Sequence, residues 1–259
     1  MTLDALVIAA HPDDAEISLG GTILRLLAAK KRVGVLDLTR GEMGTRGTPE
    51  SRAQECAAAT RILGLRFREN LGLPDGRIVP AVEAREEIAR WLRRLRPAIL
   101  IAPWWESDLH PDHAAIGAMA RQAYFLAGLR RLEKDLPPHR PRRVLYYPSH
   151  DLFEPSFIVA LDPEHFEKKL ESLRAYGSQV FPNSTGDRGQ HFVHGQEMLE
   201  RIEVRARFFG SRIGVRFGEP LRAEGTLPDV DPLHYEAATT VNKAAAVSKA
   251  AKPQRSSTR

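Results

Sequence analysis

Over its first 125 residues the sequence alternates short, almost purely apolar runs with longer amphipathic segments, and few architectures accept that pattern. Residues 3–10 read as a buried strand, since ALVIAA carries no polar residue. Residues 14–30 read as a helix, with Ile17, Ile23, Leu24 and Leu27 near helical spacing. Val33–Leu38 is a second strand and residues 40–49 a glycine-rich loop, and Pro49 suits the first turn of a helix running to about Leu63. A short strand is expected at Arg66–Leu71 and a turn at Leu73–Gly76, followed by a helix at Val82–Leu95 that Pro97 ends. A strand at Ala98–Ala102 and a helix from about Asp112 to Leu126 complete the series. Such alternation predicts an α/β, Rossmann-like fold: a mostly parallel sheet, in the order 3-2-1-4-5, with helices on both faces.

The second half is less regular. Val144–Tyr147 and Phe157–Leu161 are expected as strands, Pro163–Ala175 and Glu197–Phe209 as helices, and residues 177–195 as a long polar loop of functional or interface character. The expected organisation is one domain over residues 1–236, with a core at 3–125 and an irregular C-terminal part at 126–236. Residues 237–259, rich in Ala, Ser and Lys, are expected to form a disordered basic tail.

Charge and composition narrow the partners. The formal net charge of +5 arises wholly in that tail, from Lys243, Lys249, Lys252, Arg255 and Arg259. Removing those five from the 38 basic residues leaves 33 against 33 acidic ones, so the body is neutral and no nucleic-acid partner is expected. A single cysteine, Cys56, excludes an intramolecular disulfide framework and fits a reducing, cytoplasmic setting. No run approaches the ~20 apolar residues of a membrane span, and MTLDALVIAAHPDD lacks the basic start and cleavage site of a signal peptide. No membrane partner is expected.

Two tetrapeptides share one grammar. His11-Pro12-Asp13-Asp14 follows the first strand, and His110-Pro111-Asp112-His113 follows the strand at 98–102. Either alone also serves as a helix N-terminal device, since aspartates favour the first turn. Two such motifs, each ending a strand and opening a helix, point instead to a shared site. In the order 3-2-1-4-5 the first and fourth strands are neighbours where strand order reverses, and ligands bind there outside the carboxyl ends. Three histidines and three aspartates in one crevice can supply two imidazoles and a carboxylate for a metal with an open position. An aspartate is then left to take a proton from water, along with a spare histidine, which is the inventory of a metal-assisted hydrolase. His139, His150, His165, His191, His194 and His234 lack such context and are expected on the surface or in packing roles. A non-catalytic nucleotide-sugar-binding module would carry G-x-G-x-x-G after the first strand, where this chain has HPDD.

HPDDAE…GG together with HPDH resembles the PIG-L/LmbE-like family of zinc-dependent N-acetylglucosamine deacetylases. Gly41-Glu42, Thr45-Arg46-Gly47, Arg52, Glu55 and the run Leu71–Gly76 follow the family's order. Glu203–Gly210 and Ile213–Val215 resemble the C-terminal part of the bacillithiol-biosynthesis branch, whose members deacetylate N-acetylglucosaminyl malate. Asp108 stands where mycothiol-pathway relatives place a tyrosine, which also suits that branch. The resemblance implies that His11, Asp14 and His113 hold one zinc ion per subunit, with Fe2+ or Co2+ as substitutes. It implies Asp13 as general base, a protonated His110 beside the acyl oxygen, and Asp112 orienting or charging His110. It makes Arg52 the substrate-contacting arginine, with Arg46 and Arg40 as further candidates for the malate carboxylates. It also implies a homo-oligomer. The catalytic motifs leave open a chitooligosaccharide, a mycothiol-type conjugate or an antibiotic sugar; the C-terminal resemblance favours N-acetylglucosaminyl malate.

Overall fold

The computed structural model describes residues 1–106, 108–180 and 195–225. The first half runs β1 (Ala5–Ala9), α1 (Asp14–Ala28), β2 (Val33–Thr39), α2 (Pro49–Leu63), β3 (Phe67–Leu73), α3 (Val82–Leu95), β4 (Ile99–Pro103) and α4 (Pro111–Leu126). The second half adds β5 (Arg143–Tyr147), β6 (Phe157–Leu161), α5 (Pro163–Arg174), α6 (Gly177–Val180), α7 (Gly195–Ser211) and β7 (Phe217–Ala223). The expected loop at 177–195 thus begins as one helical turn, and its remainder to residue 194 lies outside the described residues, as do His191, His194, His234 and the tail.

Local chemistry accounts for the helix ends that border the site. Thr48 and Ser51 form a reciprocal capping box at the start of α2, and Pro49 occupies its first turn. Gly64, at φ 80°, closes that helix in the left-handed conformation. At α4, Pro111 again fills the first turn, and the His110 side chain accepts a hydrogen bond from the Asp112 amide.

The sheet has seven strands in the order β3-β2-β1-β4-β5-β7-β6. The first five are parallel and stand in the expected order 3-2-1-4-5. β7, which sequence reading did not anticipate, pairs antiparallel with both β5 and β6. Gly218, Glu219 and Pro220 argue against a strand by propensity. The ladder tolerates Pro220 because Leu221 gives its carbonyl to Ser156 on the β6 side, so its neighbour Pro220 turns its nitrogen the other way. There the pairing with β5 has already ended, at Tyr146 against Arg222.

Central strands β1 and β2 are buried along their whole length, as doubly covered parallel strands must be. One face packs Leu6, Ile8, Leu36 and Leu38 against Ile88 and Leu92 of α3 and Ile116 and Met119 of α4. The other face is covered by α1 and α2, with α5 packed upon both. Buried charges cross this layer. Arg68 donates to Glu16 at 2.5 Å and to Asp37 at 2.7 Å, and Tyr176 donates its hydroxyl to Glu16 at 3.1 Å. Among the described residues no helix is long and apolar enough to cross a membrane.

Candidate metal centre and active site

β1 and β4 are adjacent, so the two His-Pro-Asp turns leave the same sheet edge on either side of the point where strand order reverses. The juxtaposition is close. His11 Nδ1 lies 3.5 Å from Asp14 Oδ2, His113 Nε2 lies 3.2 Å from the same oxygen, and the two ring nitrogens are 3.3 Å apart. Tetrahedral ligands about 2.0–2.2 Å from one ion stand roughly 3.3–3.6 Å from each other. The three donors therefore fit a divalent cation, and the set of two imidazoles and a carboxylate suits zinc, Fe(II) or Co(II) alike.

Electrostatics agree with that fit. Burial alone would discourage ionisation of Asp14, but the charges and hydrogen bonds of His113 and His11 hold its carboxyl well below the usual range. His113 is opposed by burial yet pushed up to about 9 by Asp14 and Asp108, and His11 is raised well above its ordinary value by Asp112, Asp14 and Asp75. The cluster attracts positive charge to its centre.

Two carboxylates that sequence reading left without a role support these ligands. His11 Nε2 meets Asp75 Oδ1 at 2.9 Å, and His113 Nδ1 meets Asp108 Oδ1 at 3.2 Å. Each imidazole thus turns one nitrogen to the centre and the other to a carboxylate, which fixes its tautomer and orientation. Asp75 also accepts from the Met43 amide at 2.8 Å, and hydrogen bonding to His11 holds it at about 2 against the opposing effect of burial. Ser149 Oγ reaches His113 Nδ1 at 2.5 Å. His150, expected on the surface or in packing, stacks 5.1 Å from the His113 ring and meets Asp108 Oδ1 at 3.1 Å. The available signal was positional: Ser149 and His150 follow β5, whose carboxyl end borders β4.

Three expected site residues make contacts that their expected roles did not include, though Asp112 still orients His110 through its amide and its charge favours the protonated ring. Asp112 does not reach His110 with its carboxylate; those oxygens accept from the amides of Gly76 at 2.7 Å and Ile78 at 3.2 Å, holding the turn that bears Asp75. It is the Asp112 amide that donates to His110 Nδ1, at 3.2 Å. A nitrogen that accepts carries no proton, so His110 is a neutral ring with its N–H at Nε2 rather than the protonated donor expected. Burial and the neighbouring His11 and His113 also push its pKa down.

Arg52 is the third. Only 5% exposed, it turns inward, donating to the Pro12 carbonyl at 2.8 Å, the Gly41 carbonyl at 3.0 Å and Asp13 Oδ2 at 3.1 Å. Its fork holds the His11–Asp14 turn and the start of the glycine-rich loop. Gly41, at φ 68°, is required beside it, because a Cβ there would collide with the guanidinium. Burial pushes the Asp13 carboxyl up to about 7, with the Arg52 charge opposing and Asp14 adding to the rise.

A cavity of about 570 Å3 opens from Asp13 and Asp14 and extends past Ser149 and His150 to Met198, Arg201, Ile202 and Arg205 of α7. Thr45 and Arg46 of the glycine-rich loop line it as well. Arg40 instead borders a separate cleft of about 350 Å3, with Cys56 and Asn70. The larger space is sufficient for a small conjugate.

Comparison with known proteins gives consistent results. The family model described as PIG-L, GlcNAc-PI de-N-acetylase, matches residues 6–124. Diacetylchitobiose deacetylase of Thermococcus kodakarensis is 30% identical over 231 residues, covering 84% of this chain and 81% of its own. A probable N-acetyl-alpha-D-glucosaminyl L-malate deacetylase 2 of Bacillus anthracis is 29% identical over 224 residues, covering 76% and 91% respectively. Among solved structures, the conserved protein TT1542 of Thermus thermophilus superposes with a TM-score of 0.80 at 41% identity, covering 89% of this chain and 99% of that one.

Proposed function

Because the chain belongs to the PIG-L family of deacetylases, we propose that it is a metal-dependent N-deacetylase hydrolysing the acetamide of an N-acetylglucosamine conjugate. N-acetylglucosaminyl malate is the first substrate to test, on the strength of the malate deacetylase relative and the C-terminal motifs. Diacetylchitobiose is the second, from the more similar Thermococcus relative. The observation that carries the reading is the 3.2–3.5 Å triangle of His11, Asp14 and His113 beside Asp13.

In this proposal His11, Asp14 and His113 hold one ion, zinc by the family resemblance, while Asp75 and Asp108 fix the two rings. The ion, when bound, lowers the pKa of water toward ~7 and polarises the acetyl carbonyl. Asp13 accepts the proton of the attacking water, whose oxygen forms the new bond to the acetyl carbon. His110 donates its Nε2–H to the carbonyl oxygen as charge develops there, and the Asp112 amide keeps the ring in that tautomer. The C–N bond then breaks, Asp13 returns its proton to the amine nitrogen, and the amine leaves with acetic acid, whose remaining proton passes to solvent as acetate forms. Arg52 acts through Asp13, by holding its carboxylate and the preceding carbonyl.

Acetate release tests this reading. The metal-loaded protein is expected to deacetylate N-acetylglucosaminyl malate, diacetylchitobiose or both, to stop when a chelator strips the ion, and to recover with added Zn2+. Absence of acetate release from all N-acetylglucosamine conjugates by the metal-loaded protein would overturn it.

A further inference from the structure

The walls of the cavity beside Asp13 and Asp14 differ in chemistry. One is polar: Thr45 and Arg46 of the glycine-rich loop line it with Gln179 of α6, whose Nε2 donates to the Arg46 carbonyl at 3.0 Å. The other is aliphatic. Met198 and Ile202 lie four residues apart on α7, and Ile17 lies one turn beyond Asp14 on α1. Arg205, on the same α7 stripe, joins the two helices by donating to the Ile17 carbonyl at 3.0 Å, and it also donates to the Ser149 carbonyl at 3.0 Å. Both of its terminal nitrogens therefore have acceptors within the protein, and the guanidinium braces the wall. The aliphatic surface begins at the reacting centre, since the Ile17 amide donates to the Asp13 carbonyl at 2.8 Å. Ile202 is only 5% exposed, whereas Leu152, which also lines the cavity, is 53% exposed, so that surface continues from an enclosed end to the open mouth.

An acetyl group brings one methyl to this wall, and a single aliphatic side chain covers it. Ile17, Met198 and Ile202 together present more apolar surface than that methyl can remove from water, and an alkyl chain touching all three removes the rest. The hydroxyls of a glucosamine ring need donors and acceptors, which the polar wall holds in Thr45, Arg46 and Gln179. That division leaves the aliphatic wall to the acyl side of the scissile amide. We infer that the protein hydrolyses N-acyl glucosamine conjugates with chains longer than acetyl, such as butyryl and hexanoyl, and that Ile17, Met198 and Ile202 form the acyl-chain subsite. The cavity of about 570 Å3 has room for a sugar and a short chain. This inference rests on the amide-hydrolase reading and extends it to the acyl group. The bonds exchanged are the same: water oxygen joins the acyl carbon, the C–N bond breaks, the amine nitrogen gains a proton, and the fatty acid released gives its own proton to solvent.

Steady-state kinetics on the metal-loaded protein test it, with the acetyl, butyryl and hexanoyl amides prepared both as glucosaminyl malates and as N,N'-diacylchitobioses. On the aglycone that is turned over, kcat/KM is expected to rise about fourfold per added methylene, so that butyryl exceeds acetyl roughly tenfold. A butyryl value at or below the acetyl value would overturn the subsite and leave the deacetylase reading standing. Hydrolysis of the longer amides without the acetyl ones would do the reverse, and hydrolysis of none would overturn both. Ile202→Trp and Ile17→Phe, which fill the wall, are each expected to lower the hexanoyl-to-acetyl ratio of kcat/KM tenfold or more; an unchanged ratio in both contradicts the assignment of these residues. Calorimetric titration of the metal-loaded wild type with acetate, butyrate and hexanoate reads the subsite without turnover and without a variant. Affinity is expected to climb with chain length by about the same factor per methylene, and equal affinity for acetate and hexanoate, or binding of neither, contradicts the proposal.

Discussion

Asp13 sits at φ 126° and ψ −27°, a conformation that a residue with a Cβ rarely adopts. Strain of this kind costs on the order of 1–3 kcal/mol and persists only where surroundings over-determine it. Here they do: the Arg52 fork grips both the Pro12 carbonyl and the Asp13 carboxylate, and the Asp13 carbonyl accepts from Ile17 at 2.8 Å. The strained backbone aims two adjacent carboxylates in different directions, Asp14 into the metal triangle and Asp13 toward Arg52 and the cavity. Orientation of the imidazoles is the other residue-scale device. Asp75→Asn and Asp108→Asn, which keep the shape but remove the charge behind His11 and His113, are each expected to weaken metal affinity roughly 10- to 100-fold while leaving the fold intact. Competition with a chromophoric chelator measures this, and wild-type affinity in both variants would deny those carboxylates a supporting role. The cluster of candidate donors His11, Asp14 and His113 was legible in the sequence because each motif compresses its donors into four residues. Asp75 was not, because Leu73–Gly76 is also what any tight turn looks like, and only its 2.9 Å contact with His11 distinguishes it.

At the scale of elements, α1 is held in its middle by charges from the second half of the chain. The Glu219 carboxylate accepts from the Gly21 amide at 3.0 Å, the Thr22 amide at 2.7 Å, the Thr22 hydroxyl at 2.6 Å and Lys169 Nζ at 2.5 Å. β7, α5 and α1 thus meet at one buried carboxylate. Removing one partner of such a pair leaves an uncompensated charge, so Glu219→Ala is expected to cost roughly 3–5 kcal/mol, read from urea unfolding. A cost under about 1 kcal/mol would mean that the pair does not bind these elements together. The same Glu219 explains why β7 escaped the sequence reading. A glycine, a glutamate and a proline in succession contradict strand propensity, and only burial against Lys169 and the Gly21–Thr22 amides gives the glutamate a reason to be there. The central parallel strands β1 and β4 were legible for the opposite reason: coverage on both faces makes them continuous apolar runs.

Taken whole, the molecule places the residues proposed for hydrolysis where strand order reverses within a parallel sheet, so topology does most of the assembly. His11 and His113 lie 102 positions apart in the chain yet 3.3 Å apart in space. That convergence was legible once two strands were seen to end in related motifs. What lay beyond reach was the orientation of side chains within the crevice: Arg52 turned inward, Asp112 bound to backbone amides, His150 drawn to Asp108. Those choices depend on which acceptor each donor meets after folding, and no spacing in the sequence encodes it. Metal content and turnover, measured together on Asp13→Asn and Asp14→Asn, separate the two neighbouring carboxylates. Asp13→Asn is expected to keep its bound ion while losing roughly 100- to 10,000-fold in turnover, and Asp14→Asn to lose the ion itself. An Asp13→Asn protein stripped of metal, or an Asp14→Asn protein that retains it, would contradict the division of roles between them.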